Sequence, residues 1–181
     1  MLKGKLIELV KPELKHMPLL SKWRNDPENR KFYREFEEKS IEDQIYWYHE
    51  IMNKDNTWYH FCIRPIGEAK IIGIVMLNHI HWVNKTGEFG ITIGDKEFQG
   101  KGYGSDALLT LLLYGFFDLN LNRIWCEVYS NNPAIDLYKK IGFQEEGRLR
   151  SHIFKQNKYY DSFLLGMLKS EFQKKYSDLK K

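Results

Sequence analysis

Apolar positions along the chain follow two periods in turn. Alternation of every second residue predicts strands at LIELV near residue 6, WYHFCIRP (58–65), KIIGIVMLNHIHWV (70–83), GEFGITIG (87–94) and RIWCEVY (123–129). Two further runs, FQEEGRLRSHIF (143–154) and YYDSFLLGML (159–168), are joined by a KQNK turn, while GEAK and NKTG separate the strands before residue 87. Helical spacing fills the intervals. Pro12 and Glu13 open a helix that carries Leu14, Met17, Leu20 and Trp23, and Pro27 ends that region. Ser40 and Asp43 form a capping box for SIEDQIYWYHEIM. An apolar helix spans about 103–118, and NPAIDLYKKIG ends with Gly142 just past its C-terminus. The order β, α, α, three or four β, then β-α-β-α-β-β predicts a mixed α/β sandwich on one central sheet.

A chain of 181 residues suits a single domain, 1–181, with a sizeable core. The net charge of +4 fits an anionic small ligand and is too weak to imply nucleic acid. The N-terminal apolar run is too short for a signal peptide, and no window approaches the apolar length of a membrane span. The expectation is a soluble cytoplasmic protein with neither membrane nor nucleic-acid partner. Cys62 and Cys126 each fall in an alternating strand pattern and read as buried free thiols.

The chemistry concentrates in EFQGKGYGSDALLTLLLYGF, 97–116, where three glycines in five positions precede the helix. Such a cluster lets backbone N–H groups crowd toward a phosphate, and the helix dipole adds to the attraction. A P-loop is excluded, because Lys101 is followed by Gly102 rather than Ser or Thr. A dinucleotide fingerprint matches at Gly102, Gly104 and Ala107, with the acid Glu127 about 20 residues on. The polar DKEFQ that separates it from its strand, and its place past mid-chain, weigh against it.

Gln99-Gly100-Lys101-Gly102-Tyr103-Gly104 resembles the [QR]-x-x-G-x-[GA] acetyl-CoA loop of the GNAT superfamily of N-acetyltransferases, and NNPAIDLYKKIGF (131–143) resembles its second signature, N-x-x-A-x-x-x-Y-x-x-x-G-F. SKWRNDPENRKFY and EEGRLRSHIFKQNKYYDSFLLGMLKSEF are similar to the RimJ/RimL branch, which has relatives that acetylate polyamines and nucleotide-linked amino sugars. The resemblance implies a GNAT-like sheet of about seven strands with about four helices, and splayed parallel strands at the acetyl-CoA site. It implies that main-chain groups at Ile91, Thr92 and Ile93 meet the pantetheine arm. Gln99, Gly100, Lys101, Gly102, Tyr103 and Gly104 would hold the pyrophosphate. Asn131 would bond the pantetheine or cap the next helix. Tyr138 becomes the acid that reprotonates the departing thiolate. Two glutamates compete as base: Glu88, which shares a strand face with Gly90 and Thr92, and Glu127 on the neighbouring strand. Either is alternatively a solvated strand end. His79 and His81 share a strand face but find no third ligand, so no metal is expected. Cys126 reads as core, and the lysines from Lys169 onward as a solvated helix end or tail.

The implied reaction is acetyl transfer from acetyl-CoA to a primary amine. An α-amine is already roughly a tenth neutral at pH 7, whereas an alkylamine near 10.4 is only about 0.04% neutral. In residues 24–40, Asp26, Glu28, Glu35, Glu37 and Glu38 are nearly cancelled by Arg24, Arg30, Lys31 and Arg34. The expected acceptor is therefore a protein N-terminal α-amine, ahead of an amino-sugar nucleotide or a polyamine. A non-catalytic acyl-CoA sensor is the rival from another class, and a homodimer stays open.

Overall fold

A computed structural model describes residues 1–52 and 54–179. Eight strands form one sheet: β1 (Leu2–Lys3), β2 (Ile7–Val10), β3 (Tyr59–Pro65), β4 (Gly73–His81), β5 (Thr86–Ile93), β6 (Arg123–Tyr129), β7 (Gln144–Lys155) and β8 (Lys158–Leu168). Their order is β1-β2-β3-β4-β5-β6-β8-β7, antiparallel except for β5 beside β6. The helices are α1 (Met17–Asn25), α2 (Pro27–Arg30), α3 (Ile41–Trp47), α4 (Tyr103–Leu113), α5 (Ala134–Ile141) and α6 (Lys169–Lys175). This is the α/β fold expected from the alternation of periods, with one more strand and two more helices.

Each extra element has a local cause. The two-residue β1 folds back on β2, pairing Leu2 with Leu9. Asp106 on the first turn of α4 holds that fold-back, because its carboxylate accepts the N–H groups of Lys5, Leu6 and Ile7 at 3.0, 2.7 and 3.1 Å. The single turn α2 is opened by Asp26, whose side chain accepts the Glu28 N–H. Residues beyond Lys169 are not a bare solvated tail. Phe172 of α6 is 1% exposed and packs against Phe116 and Tyr176, while Lys174 is exposed and Lys175 donates its Nζ to the Lys140 carbonyl at 2.6 Å. The helix expected from Glu13 starts later, at Met17, after one 3₁₀ turn that leaves Leu14 exposed. Pro18 sets this boundary, since proline fits a first helical turn and clashes with the carbonyl four residues back in an interior.

The other helix signals act as read. Ser40 and Asp43 cap α3 reciprocally, and Gly142 at φ +121° closes α5 with its N–H on the Tyr138 and Lys139 carbonyls. Two layers result. On one side of the sheet α4, α5 and α6 cover a core that includes Leu77, Phe89, Leu108, Leu111, Ile124 and Leu165. On the other, Met17, Leu20 and Trp23 pack against Cys62, Ile71 and Ile74. Among the described residues, no helix is long and apolar enough to cross a membrane.

Candidate active site

The site is built on the one parallel strand pair. The β5–β6 ladder runs only from Thr86↔Arg123 to Glu88↔Trp125. Beyond it each strand keeps its outer partner, β5 on β4 as far as Ile93↔Gly73 and β6 on β8 as far as Tyr129↔Ser162. The two strands therefore diverge and leave a wedge between them. Ile91, Thr92 and Ile93 lie on its β5 side, half-buried, with no β6 residue paired to them. Gln99 reaches back to this edge, its Nε2 donating to the Ile93 carbonyl at 2.7 Å.

The glycine loop lies at the wide end, past Ile93. Gly100 sits at φ +71° and Gly102 at φ +89°, a backbone hand that side chains resist. A Cβ on Gly100 would meet nothing within 4 Å, and one on Gly102 only the Leu6 side chain at 3.6 Å. The positive φ, rather than crowding within the chain, is what requires glycine here, and the outer side of the loop is open. Gly104 brings the start of α4 within 3.5 Å of the Ile93 side chain, measured from its Cβ position. Tyr103 is half-buried against Phe98, with ring centroids 5.4 Å apart, and Lys101 is exposed. Asn132 takes the capping role considered for Asn131: its Oδ1 accepts the Ala134 N–H at 2.9 Å. Asn131 is exposed, and with Lys96, Gln99 and Pro133 it lines an open cavity of about 610 Å³ beside the loop.

Tyr138 approaches from the α5 side. Its ring is 7% exposed and meets Phe89 edge-on at 5.1 Å. Burial first, then the neighbouring Cys126, hold its hydroxyl well above the usual tyrosine range, so it stays protonated at neutral pH. Cys126 is itself buried, and desolvation pushes its thiol far up, which suits core packing and not a nucleophile. Both cysteines are free thiols.

On the opposite face of the sheet the two candidate glutamates meet. Glu88 does lie away from Phe89, as strand alternation requires, yet it is 7% exposed rather than solvated. Glu127 is similarly enclosed, its side chain 11% exposed. What covers them is Arg34, carried by the irregular residues 31–39. Its guanidinium spans both carboxylates, 2.5 Å from Glu88 Oε1 and 3.1 Å from Glu127 Oε2. Burial works against the Arg34 charge and the two carboxylates outweigh it, so the side chain is held firmly protonated. Each carboxylate also has a histidine: His79 Nδ1 lies 3.2 Å from Glu88 Oε2, and His152 Nδ1 lies 3.0 Å from Glu127 Oε1. Residues 31–39 are tied down on both sides of Arg34. The Tyr33 hydroxyl bonds Thr92 Oγ1 at 2.9 Å, and Lys155 Nζ donates to the Glu35 carbonyl at 2.8 Å.

The histidine pair read as sharing one strand face is split by a bulge in β4 between Asn78 and His81. There His79 takes φ +50° and turns to Glu88, while His81 Nδ1 accepts the Asn84 N–H. Among the described residues no three His, Cys, Asp or Glu side chains gather as metal ligands.

Residues 7–144 match the model of the acetyltransferase (GNAT) domain. The chain is a GNAT acetyltransferase. It is 35% identical to the spermidine N(1)-acetyltransferase of Vibrio cholerae over 127 residues, 68% of this chain and 72% of that one. It is 32% identical to the putative ribosomal N-acetyltransferase YdaF of Bacillus subtilis over 59% of this chain and 58% of that one. The crystal structure of the Vibrio cholerae spermidine N-acetyltransferase, in complex with CoA and spermine, superposes with a TM-score of 0.86 at 27% identity, covering 93% of this chain and 99% of that one.

GNAT enzymes use acetyl-CoA as cosubstrate, and the wedge and loop of this GNAT chain fit it. An unpaired strand edge can meet amides, and positive-φ glycines before an eleven-residue helix can meet a pyrophosphate. The dinucleotide reading fails on geometry. A 3₁₀ turn, Lys96–Phe98, intervenes between β5 and the loop, and Glu127 faces Arg34.

Sequence reasoning did not bring Arg34 or His152 to the two carboxylates or Tyr33 to Thr92, and it passed over Tyr129. Tyr129 follows Glu127 at strand spacing, so the period-two pattern of RIWCEVY already placed it on the Glu127 face. Arg34 has no such signal, because residues 31–39 carry no periodic pattern.

Proposed function

We propose that this enzyme acetylates a primary amine of a polyamine of the spermidine type. The observation that carries the proposal is the convergence of Glu88 and Glu127 on a single cation where the wedge begins to open. The similarity to spermidine N-acetyltransferases over most of the chain supports it. The charge count over residues 24–40, which favoured a peptide α-amine, looked for acids in the wrong place. Those charges do cancel, with Arg24 on Glu35, Arg30 on Glu38 and Lys31 on Glu28. The acidity that an ammonium requires comes from the sheet.

The roles follow from the two faces of the wedge. Main-chain groups of Ile91–Ile93 receive the pantetheine arm, and Gln99 to Gly104 with the α4 N-terminus receive the pyrophosphate. The acceptor enters from the Glu88 face as an ammonium. It must lose a proton before it can attack, and Glu88 takes that proton, with half-exposed His79 beside it as the route to water. The amine nitrogen bonds to the acetyl carbon, and the carbon–sulfur bond breaks. The thiolate takes its proton from Tyr138 on the other face. Because the amine starts charged and the amide ends neutral, each turnover releases one proton.

The test is kcat/KM by free-thiol release with spermidine, a short peptide with a free Ser or Ala terminus, and an amino-sugar nucleotide, at pH 7 and 9. Spermidine is expected to lead by tenfold or more, about 1.4 kcal/mol in transition-state binding. A peptide that leads by the same margin would return the acceptor to a protein α-amine, the reading that the similarity to YdaF favours.

A further inference from the structure

We infer that Glu88, Glu127 and Tyr129 form a site for the primary ammonium group of the acceptor, and that Arg34 fills it with a guanidinium when no acceptor is bound. The inference rests on the polyamine reading for the identity of the acceptor, and on this chain's geometry for the site itself.

Three observations combine. First, the charges do not balance. Two carboxylates, flanked by His79 and His152, face one guanidinium. The cluster therefore carries a surplus negative charge in a largely enclosed place, which favours a further or better cation. Second, a hydrogen-bonding group there is unused. Tyr129 is 3% exposed and its hydroxyl has no hydrogen-bond partner among the described residues. It lies on the Glu127 face of β6, where the charges of Glu127, Arg34 and Glu35 act on it. An unpartnered buried hydroxyl costs free energy unless something fills it. An ammonium has three N–H donors, enough for Glu88, Glu127 and the Tyr129 oxygen together. Third, the present occupant can leave. The Arg34 side chain is about half exposed, and it belongs to an irregular segment rather than to a helix or strand.

Arg34 then acts as an internal competitor. It keeps two enclosed carboxylates paired while the site waits. It also lowers the apparent affinity of any cationic acceptor by the fraction of time it occupies the site. Displacement frees Glu88 to act as a base only when an ammonium has arrived to supply the proton.

The experiment compares wild type, Arg34→Ala and Arg34→Lys. Spermidine binding is measured by calorimetry with CoA present, and melting is measured with and without millimolar guanidinium. Arg34→Ala is expected to melt lower, to regain much of that loss when guanidinium is added, and to bind spermidine about tenfold more tightly than wild type or better. Arg34→Lys, which keeps a cation without the fork, is expected to fall between them and covers the case in which the alanine variant does not fold. Spermidine binding that is unchanged or weaker in both variants overturns the inference, even if spermidine proves a good substrate. Guanidinium rescue does not depend on the acceptor. If wild type acetylates a peptide and ignores spermidine, the polyamine reading falls, and the presence or absence of rescue still decides whether the cation site exists.

Discussion

Replacing Tyr138 by Phe separates a catalytic hydroxyl from a structural one, because the first role predicts a loss of rate and the second a loss of stability. The ring is the packing element, edge-on to Phe89 at 5.1 Å and within 6.3 Å of Phe143. Phenylalanine keeps those contacts. The ionisation of the hydroxyl is governed by desolvation and then by Cys126, with no hydrogen bond contributing. Removing a hydroxyl for which no hydrogen bond contributes breaks no internal contact, so the variant should be about as stable as wild type. Loss of the acid should lower turnover about 10²–10⁴-fold, or about 2.7–5.4 kcal/mol in barrier. Alkaline stability supplies an internal control. Burial raises the folded-state value above the unfolded ~10, so this tyrosine's contribution is fully present below pH ~10 and is lost as pH rises above it. Tyr138→Phe should flatten that alkaline decline. The assay is single-turnover acetyl transfer in a quenched-flow instrument, beside urea unfolding at pH 7 and 10.5. A single-turnover rate within threefold of wild type would refute the acid role, since slow product release cannot hide chemistry in that format.

Three other perturbations are worked from the same contacts. Gly102→Val should remove the thermal protection given by acetyl-CoA, about 2.7 kcal/mol at 100 times the dissociation constant, because φ +89° excludes a β-branched residue and the loop must re-form; protection equal to wild type counts against the loop as the phosphate site. Asp106→Ala should cost about 2–3 kcal/mol in urea unfolding while acetyl-CoA binding persists, since one carboxylate accepts three N–H groups from residues 5–7; a cost under about 0.5 kcal/mol would show that β1 adds nothing to stability. His60 is pushed down to about 3, by burial first and by Arg24 second, and both its ring nitrogens lack hydrogen-bond partners among the described residues. The unfolded chain therefore binds a proton below pH ~6.5 that the folded chain refuses, and stability should fall by about 1.4 kcal/mol per pH unit from there toward pH 3. His60→Phe should reduce that slope, and an unchanged acid limb would reject the assignment.

The fold was legible because its signals are local. Alternation in GEFGITIG and RIWCEVY, the Ser40–Asp43 box and Gly142 each act within a few residues, and each appears in the structure where the sequence put it. Errors came where a local signal was weak or contradicted. Pro18 moved the start of α1, and a two-residue strand such as Leu2–Lys3 has no period to detect. Phe172 is a lone aromatic among lysines, and only its packing against Phe116 and Tyr176 makes α6 part of the core. The bulge at His79 also lies beyond pattern reading, since a φ of +50° there follows from the register of β4 on β5.

For the carboxylates, half of the answer was present in the sequence. Strand alternation puts Glu88 opposite Phe89, and it puts Glu127 and Tyr129 opposite Cys126 and Val128. Residues facing each other across a parallel pair project to the same side, so the pairing of Glu88 with Trp125 places Glu127 on the Glu88 face, one pleat further along. Two carboxylates on adjacent strands, at the point where the ladder ends, form a site for positive charge whatever lies above them. The sequence does not reveal what lies above, because Arg34 reaches them from more than fifty residues away along the chain, through a segment with no periodicity. Summing charges within that segment treated Arg34 as a partner for Glu35, Glu37 or Glu38. Its pairing is with the sheet instead, so a segment whose own charges nearly cancel also delivers one cation to two carboxylates outside it.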